Sequence, residues 1–484
     1  MKARAFGVVI FVPWVTACAV GPQYVPPKVA LPSAFQEART GEFVNAEMLE
    51  HWWTAFGDPM LDDLVRRAIE GNLDLKIAAA RVREARAARG IAASAAQPQV
   101  DVGGQFLRGQ RSEAVPPFKA TTGGDSPFGA RTQTVFEVGF DASWEIDVFG
   151  GVKRDVEAAV AQVEAAQESQ RDVLVTLLGD VARNYAELRG TQRQLEILAV
   201  TVRSQQDTVD LAKARFDAGL GTAFDVDRSQ GLVEATTSRQ PELERLALQN
   251  VFRLGALLGK DVGELRTELE RPIPSPSRTP EVPLTLPSEL LSRRPDLRRS
   301  EREVTAATAR IGVARADLFP RFSITGNFGR LSEDAGDLGS GPSQFWFLVP
   351  AVRWPILSGG RIRANIQVQD ARQQQALIEY QKAVLHAVEE VENALAAQSR
   401  EQRRSESLQA SVEANRRALE LATDRYTSGL ENFLSVLDTQ RALYAAEDAL
   451  VQSETSAMVS LIAVYKALGG GWTLDARHSH PGNY

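Results

Sequence analysis

Apolar side chains recur every seven residues through the middle of the chain. Nine positions with this spacing are mostly apolar: Val160, Gln167, Leu174, Val181, Leu188, Leu195, Val202, Val209 and Phe216. No proline interrupts residues 128–240 or residues 356–480. Sustained seven-residue spacing is typical of helices that pack like coiled coils. The pattern predicts long helices over about 152–217 and 361–427, and each would extend roughly 100 Å at about 1.5 Å per residue.

Shorter segments before these helices alternate apolar and polar side chains with a period of two. Residues 136–147 place Phe140 and Trp144 on one face and Asp141 and Glu145 on the other. This period predicts strands at about 99–107, 135–147, 321–330 and 345–356. Several carboxylates cannot lie in a dry core without partners, so we expect an apolar face toward lipid and a polar face toward water. A strand of a soluble sandwich could alternate too, but with a less acidic polar face.

The two halves of the chain are similar to each other. The segment LAKARFDAGLGTAFDVDRSQ (211–230) aligns without gaps on LATDRYTSGLENFLSVLDTQ (421–440), at an offset of 210 residues. Residues 74–106 align on residues 296–328 at an offset of 222, and one insertion between 107 and 135 accounts for the difference. Because glycine and proline positions coincide, as in Pro98 and Pro320, chance similarity of helical sequence is a poor explanation. The chain is therefore an internal duplication.

The duplication sets the predicted organisation of the chain. Each half contains a helix, two strands and two long helices, of which the second returns over about 222–258 or 432–467. We expect Pro241 to kink the first returning helix. The predicted segments are a lipoprotein signal peptide (1–17), an N-terminal acylated arm (18–50), a first repeat (51–259), a proline-rich linker (260–287), a second repeat (288–468) and a C-terminal tail (469–484).

A glycine ends each long helix before the chain turns back. Gly219 and Gly429 occupy corresponding positions, and Gly221 follows in the first turn. Glycine suits these positions because a left-handed residue commonly closes a helix C-terminus. Thr222, followed three residues later by Asp225, fits a capping box that starts the returning helix, with Asp in place of the usual Glu.

The single cysteine of the chain, Cys18, follows a basic start, an apolar stretch and the small residues Thr16 and Ala17. This arrangement is typical of a secretory signal peptide. The segment VTAC resembles the bacterial lipobox, which implies that Cys18 carries a diacylglycerol and an N-terminal acyl chain. By resemblance to enterobacterial sorting, Ala19 after it implies export to the outer membrane. The alternative is an ordinary signal peptide with a cysteine near its cleavage site.

Charge and candidate chemistry argue against a nucleic-acid binder and against an enzyme. The net charge of −7 disfavours general nucleic-acid binding. His478 and His480 lie in the tail, where we expect a solvated chain end and no metal site. The segment GALLGKD (255–261) departs from a phosphate loop in length and lacks its Ser or Thr, so we expect a helix cap there. Glu389, Glu390 and Glu392 lack an acid–base partner and are expected on a solvated helix face or tunnel lining.

The lipobox, the GPQYVPP segment after it, the duplicated halves and the turns RFDAGLGTAFDV and RYTSGLENFLSVLDTQ resemble the TolC-like outer-membrane factors. More narrowly, they resemble the lipoprotein (NodT-like) branch that serves resistance–nodulation–division efflux pumps. The resemblance implies a mainly α fold with a membrane β-barrel, in which a homotrimer forms a twelve-stranded outer-membrane barrel that continues into a long periplasmic α-helical barrel. Four strands per chain are too few to close a membrane barrel, although strand count alone also permits a dimer.

The resemblance further implies a passive exit duct for small molecules, without enzymatic activity and without a cofactor other than the lipid. Its implied partners are a periplasmic adaptor protein, an inner-membrane resistance–nodulation–division transporter and outer-membrane lipids. A type I protein-secretion duct of the same fold is an alternative, which the lipobox disfavours. A periplasmic coiled-coil adaptor is another, but it would not need two repeated strand pairs with acidic faces.

By the same resemblance, the helix turns form a periplasmic gate. Leu434 and Asp438 match positions where an apolar residue and a carboxylate from each protomer converge on the tunnel axis. Alternatively, Leu434 packs between helices and Asp438 is an ordinary solvated residue.

A latch between the two turns is also implied, in which Asp225 accepts a hydrogen bond from Tyr426 and helps to hold the closed state. Some family members carry a basic latch residue where this chain has Glu431. We therefore expect Arg425, next to Tyr426, to supply the positive charge.

Overall fold

The computed structural model describes residues 19–29, 31–37, 49–110, 132–270 and 287–473. They fall into two compact units: the first comprises Met1–Pro27, Arg83–Glu164 and Glu301–Ile378, and the second comprises Lys28–Val82, Ala165–Ser300 and Glu379–Tyr484. The predicted signal peptide, Cys18, residues 271–286 of the predicted linker, and the tail residues His478 and His480 lie outside the described ranges.

The first unit contains a four-stranded antiparallel sheet. Its strands lie in the order of the chain: β1 (Gln99–Gln110), β2 (Thr132–Ile146), β3 (Arg321–Ser332) and β4 (Gln344–Arg353). The strand β4 ends three residues before its predicted end, because Pro355 has no N–H to donate to a ladder.

One face of the sheet is apolar across all four strands over most of its length, and it carries Arg108 and Arg330 near the ends of β1 and β3. Val102 lies opposite Phe140, Phe140 opposite Phe328, and Phe328 opposite Trp346. Because opposed residues of antiparallel strands share a face, the even-numbered positions of every strand lie together. Phe140 is 54% exposed and Trp346 is 72% exposed, so this apolar face is not covered by the chain itself.

The other face carries the acidic side chains that the sequence predicts for β2, including Asp141, which accepts a hydrogen bond from the amide of Asn327. The strand β4 differs from this pattern, because its residues Phe345, Phe347 and Val349 make its second face apolar as well.

Long helices dominate the rest of the chain. In the first half they are α1 (Pro59–Gly71), α2 (Leu73–Ser94), α3 (Gly151–Asp217), α4 (Ala223–Thr237), α5 (Gln240–Leu258) and α6 (Val262–Leu269). In the second half they are α7 (Leu290–Arg293), α8 (Pro295–Ala316), α9 (Arg361–Thr427) and α10 (Phe433–Ala467). Helices α3 and α9 each contain 67 residues and cover the two stretches in which the sequence predicts long helices.

The first returning helix is not continuous, which corrects the predicted single helix over 222–258. It is divided into α4 and α5, and the break falls at Ser238 and Arg239. Pro241 lies at the start of α5, where its missing N–H is tolerated; inside a continuous helix it would remove a hydrogen bond and clash with the preceding turn. Its second-repeat counterpart α10 has no proline and continues for 35 residues.

The predicted linker is also shorter than expected, because α6 occupies Val262–Leu269. The side chain of Asp261 accepts a hydrogen bond from the N–H of Gly263 and starts this helix. Gly259, at the end of α5, has a φ of 64° and closes that helix, so GALLGKD is a helix cap as predicted.

The three glutamates predicted on a solvated helix face or tunnel lining all have partners in the second unit, and a carboxylate oxygen of Glu389 lies 3.2 Å from Nδ1 of His386. Glu392 accepts hydrogen bonds from the backbone N–H groups of Gln36 (2.7 Å) and Glu37 (3.1 Å). Glu390 forms an ion pair with Arg294 at 2.7 Å. The carboxylate of Glu392 therefore holds part of the N-terminal arm against α9. No local pattern in the sequence predicts this contact.

The core of the second unit follows the seven-residue spacing only in part. Val181, Leu188 and Val209 are fully buried, whereas Phe216 at the end of α3 is exposed. A straight helix drifts away from a strict seven-residue repeat, so such positions do not all stay on the buried side. Among the described helices, none is both long and apolar enough to cross a membrane.

A glycine allows α3 and α10 to approach each other closely, and this contact can be tested. A Cβ added at Gly190 would lie 2.2 Å from Oγ1 of Thr455, whereas one added at Gly231 in α4 would meet no atom within 4 Å. We predict that Gly190→Ala destabilises the protein by about 1–3 kcal/mol through overpacking. Gly231→Ala should stabilise it by about 0.5–1 kcal/mol, because alanine favours helix.

The unfolding temperatures of the two variants and of the wild type, measured in detergent by circular dichroism, test this prediction. Unfolding of Gly190→Ala at or above the wild-type temperature would contradict the close approach of α3 and α10.

Candidate functional site

The two turns that join the long helices to the returning helices have the same backbone geometry. Gly219 and Gly429 have φ values of 72° and 73°, in the left-handed region predicted for them. In the first turn, the N–H of Leu220 donates to the carbonyl of Arg215 at 2.8 Å. In the second, the N–H of Leu430 donates to the carbonyl of Arg425 at 2.8 Å. Each turn thus uses the hydrogen bonds that close a helix before a left-handed glycine.

Gly221 has a different role from the two turn glycines. It has no positive φ, but a Cβ at this position would lie 3.3 Å from the backbone nitrogen of Phe216. Its small size lets the first turn fold back tightly onto the end of α3.

The side chain of Asp225 caps its own helix. The N–H of Asp225 donates to Oγ1 of Thr222 at 3.3 Å, and Oδ2 of Asp225 accepts from the N–H of Thr222 at 3.2 Å, which completes the predicted capping box. The Thr222 hydroxyl also donates to this carboxylate at 2.7 Å. No hydrogen bond joins Asp225 to Tyr426 among the described residues, so the predicted latch bond is not a feature of this single chain.

Tyr426 instead belongs to a small apolar cluster behind the turns. It packs against Phe433 with ring centroids 5.1 Å apart. The buried members of the cluster are Ala212, Leu232, Ala422, Tyr426, Phe433, Val436 and Leu437. Burial raises the pKa of Tyr426; the Arg215 cation opposes this effect and the Asp225 carboxylate adds to it. The Tyr426 hydroxyl therefore stays protonated at neutral pH.

Arg215 provides the direct contact between the two long helices at this point, and the sequence analysis missed it. Its guanidinium carbon lies 4.7 Å from the centroid of the Tyr426 ring. Its Nη1 donates to the backbone carbonyl of Tyr426 at 3.3 Å. This cation–π contact and this hydrogen bond add to the apolar cluster in holding the end of α3 to the end of α9. The available signal was the internal repeat, because Arg215 is the counterpart of Arg425 at the offset of 210.

Arg425 is exposed and pairs within its own turn. Its Nε lies 3.6 Å from a carboxylate oxygen of Glu431. Glu431 also accepts from the hydroxyl of Ser435 at 3.0 Å and from the N–H of Asn432 at 3.3 Å, and these hydrogen bonds, with the Arg425 charge, lower its pKa. In this chain the Arg425 charge is directed to Glu431 and not across to the first turn.

Leu434 and Asp438 lie one helical turn apart on α10 and project from the same face. Leu434 is 39% exposed and the Asp438 side chain is 58% exposed. Their neighbours Val436 and Leu437 point into the apolar cluster instead. Arg441, one turn further along, approaches Asp438 at 3.7 Å. The two side chains therefore form a partly exposed surface of α10 outside the apolar cluster.

The described residues around the two turns include no candidate metal site. Within the described ranges, no group of three or more His, Cys, Asp or Glu side chains could hold a metal ion.

Comparison with known proteins identifies the fold and the family. The chain is 34% identical over 461 residues to the pyoverdine export outer membrane protein OpmQ of Pseudomonas aeruginosa, covering 95% of each chain. It is 32% identical over 470 residues to nodulation protein T of Rhizobium leguminosarum bv. trifolii, covering 96% of each. Among solved structures, the outer-membrane channel OprN superposes with a TM-score of 0.86 at 33% identity, over 94% of this chain and 100% of that one.

The sequence profile described as outer membrane efflux protein matches residues 64–260 and 286–470, one range in each half of the chain. The similarity to solved outer-membrane efflux channels covers the sheet and the long helices alike, so the protein has the fold of an outer-membrane channel component of an efflux pump. The chain belongs to the outer membrane efflux protein family.

Proposed function

We propose that three copies of this chain form a passive exit duct in the outer membrane, which carries small molecules out of the cell and opens at its helix turns. The apolar even-numbered face of the sheet supports this proposal most directly. Most of its apolar side chains are exposed in the single chain, and an apolar face on a sheet with polar residues opposite suits lipid on one side and water on the other. Three copies would supply twelve strands, above the minimum of about eight for a closed membrane barrel.

The gate of the duct would lie at Leu434 and Asp438. These two side chains share an exposed face of α10, and a three-fold axis in front of that face would bring three carboxylates together. A ring of carboxylates attracts cations and repels itself, so the closed state needs other contacts to hold it. Arg441, at 3.7 Å from Asp438, would temper this negative charge.

The latch that holds the gate closed would be Arg215 on Tyr426, in place of the expected hydrogen bond from Tyr426 to Asp225. The cation–π contact and the hydrogen bond to the Tyr426 carbonyl connect the ends of α3 and α9 directly. Asp225 contributes indirectly, because its capping box fixes the start of α4 beside this contact. Arg425 and Glu431 form a separate pair on the second turn.

The partners would be a periplasmic adaptor and an inner-membrane resistance–nodulation–division transporter, which together with this channel form a tripartite pump. Leu220 and Leu430 occupy the same place in the two turns and are 70% and 69% exposed. Exposed apolar side chains at corresponding tips are suited to contact with another protein. The duct would have no catalytic activity of its own and no cofactor except the lipid on Cys18.

The lipid anchor gives the first prediction. Replacing Cys18 by Ser should abolish incorporation of radiolabelled palmitate, because a hydroxyl does not replace the thiol in lipid transfer. Acyl chains contribute about 0.8 kcal/mol per buried CH₂, but the strands should hold the protein in the membrane without them. Channel activity should therefore be partly retained. Ala19→Ser is the matched control and should be labelled normally; wild-type labelling of Cys18→Ser would refute the anchor.

The membrane face is tested by reconstitution. Wild-type protein in detergent should migrate as a heat-modifiable trimer and conduct ions in planar bilayers. Phe140→Arg should impair trimer insertion, because a charge on the lipid side costs about 2–4 kcal/mol near the midplane. Asp141→Asn, at the adjacent position on the opposite face, should assemble normally and change ion selectivity. A monomeric, non-conducting wild type would contradict the duct, and equal impairment by both substitutions would contradict the assigned faces.

The gate is tested by recording single channels of Arg215→Gln and Asp438→Ala. Loss of the Arg215 contacts should destabilise the closed state by about 1–2 kcal/mol, which is a shift of roughly 5- to 30-fold in the closed–open ratio and raises conductance. Arg425→Gln is the matched control in the other repeat. It removes one exposed ion pair, worth about 0–1 kcal/mol, and should conduct much like wild type.

Asp438→Ala should reduce cation selectivity in the same recordings, because it removes the carboxylate ring. If Arg215→Gln and Arg425→Gln behaved alike, the latch would not be Arg215. Unchanged selectivity of Asp438→Ala would place the constriction elsewhere.

A further inference from the structure

The even-numbered face of the sheet changes in character from one end to the other. At the end near the long helices it carries Ile146, Phe322 and Val352, which are all apolar. At the opposite end, polar and basic side chains join the aromatic ones: Arg108, Gln110, Thr134, Arg330, Ser332 and Gln344. This face therefore has an apolar band and, at the end away from the helices, a polar rim.

The charges on this face are all of one sign. Its described side chains include two arginines and no carboxylate, whereas the odd-numbered face carries Asp101, Glu137, Asp141 and Glu145. Both arginines belong to the polar rim, and the described residues at the other end of the face include no cation. Positive charge is thus concentrated at one height of the surface that the proposed duct turns toward lipid.

The two arginines occupy equivalent places in their strands. Arg108 lies two residues before the end of β1, and Arg330 lies two residues before the end of β3. Arg108 is directly opposite Thr134, and Arg330 is directly opposite Gln344. Opposed side chains on one face are about 4.5–5.5 Å apart at Cβ. Each guanidinium therefore has a neutral neighbour that can donate a hydrogen bond to the same acceptor.

Both arginines have donors left for a group outside the chain. Arg108 is exposed, and no hydrogen bond or ion pair joins it to another described residue. Arg330 is half-buried, and its Nη1 donates to the carbonyls of Leu338 at 3.0 Å and Ser340 at 2.8 Å. These two bonds hold the Arg330 side chain in place and leave its Nε and Nη2 without a partner among the described residues.

The polar rim faces the outside of the cell if the duct is correct. In this family the long helices belong to the periplasmic tunnel, so the end of the sheet away from them lies at the outer leaflet of the outer membrane. That leaflet consists largely of lipopolysaccharide, whose diglucosamine headgroup carries phosphate groups above its acyl chains. Arginine binds phosphate through two parallel N–H···O bonds, and basic sites at headgroup level recognise anionic lipids.

We propose that Arg108 and Arg330 bind the phosphate groups of outer-leaflet lipopolysaccharide, with Thr134 and Gln344 as additional donors. This inference rests on the proposed duct and names the lipid that its outer rim selects. The acyl chains of the bound lipid would lie along the apolar band below the two arginines, where Phe140 is 54% exposed.

The spacing of the two arginines suits two phosphates on one headgroup. They lie on strands that are both neighbours of β2, which places them roughly 10 Å apart across the sheet. Their partners on β2, Thr134 and Val138, are four residues apart, or about 13 Å along the strand. The two Cα atoms are therefore roughly 16 Å apart, so each guanidinium contacts its own phosphate. A lipid with two phosphates should bind more tightly than one with a single phosphate.

Fluorescently labelled lipid A, titrated into the full-length protein in detergent and followed by fluorescence polarisation, tests the site. The wild type should bind diphosphoryl lipid A more tightly than monophosphoryl lipid A, and dephosphorylated lipid A most weakly. Arg108→Gln should weaken binding of the diphosphoryl form by about 5- to 20-fold, because it removes charge-assisted hydrogen bonds. Arg108→Gln combined with Arg330→Gln should remove the preference for phosphate, whereas Arg108→Lys should retain part of it.

The control is Arg353→Gln, which changes an exposed arginine at the opposite end of the sheet and should bind like wild type. Each variant is first checked for heat-modifiable, conducting trimers. Arg108 has no partner in the described chain, so Arg108→Gln still decides the matter if loss of the Arg330 contacts prevents assembly.

Three results would overturn the site while leaving the duct intact. They are conducting wild-type trimers that bind all three lipids equally, equal weakening by Arg108→Gln and Arg353→Gln, and displacement of lipid A by an excess of inorganic phosphate. The last result would show that the arginines take free phosphate and not a lipid. A monomeric, non-conducting wild-type protein would overturn the duct and the lipid site together.

Discussion

The need to pair backbone N–H and C=O groups inside a membrane constrains the whole structure. Hydrocarbon offers no water to an exposed N–H or C=O, so a sheet placed there must pair every edge within protein. The single chain satisfies the inner ladders of its four strands and presents an apolar face on their even-numbered positions. The outer edges of β1 and β4 have no partner strand among the described residues, so theirs are the backbone groups that this constraint leaves unpaired in the single chain. In each repeat the long helix follows its strand after a few residues, at Gly151 and at Arg361.

The two repeats keep their backbone and differ in their side chains where function is expected. Both turns use a left-handed glycine and the same closing hydrogen bonds. Yet Arg215 reaches across to Tyr426, while its counterpart Arg425 pairs locally with Glu431. The duplication thus gave both repeats the same backbone at their turns. Divergence at a few positions left Arg215 in contact with another helix and Arg425 in an exposed ion pair.

Local patterns in the sequence predicted the elements well and the long-range contacts poorly. Periods of two and seven, the turn glycines and the Thr222 capping box depend on neighbours in the chain, and these predictions are confirmed by the structure. The interruption of the returning helix before Pro241 is larger than the predicted kink, because one proline affects both its own hydrogen bond and the preceding turn. Arg215 and Tyr426 lie 211 positions apart, and their contact depends on how two helices pack, which no periodicity encodes.

The repeated sheet and the diverged turns differ in how much free energy holds their parts together. Eleven opposed residue pairs join β2 to β3, and separating these two strands would be costly in hydrocarbon, where each unsatisfied backbone group costs several kcal/mol. At the turns, by contrast, the ends of α3 and α9 share an apolar cluster, which includes Ala212 and Ala422, and are joined by one cation–π contact and one hydrogen bond on Tyr426. The two Tyr426 contacts are together worth about 1–2 kcal/mol. A binding partner with a modest difference in affinity between two states of the turns could offset that part of the interface. The diverged turns are therefore easier to separate than the strands of the repeated sheet.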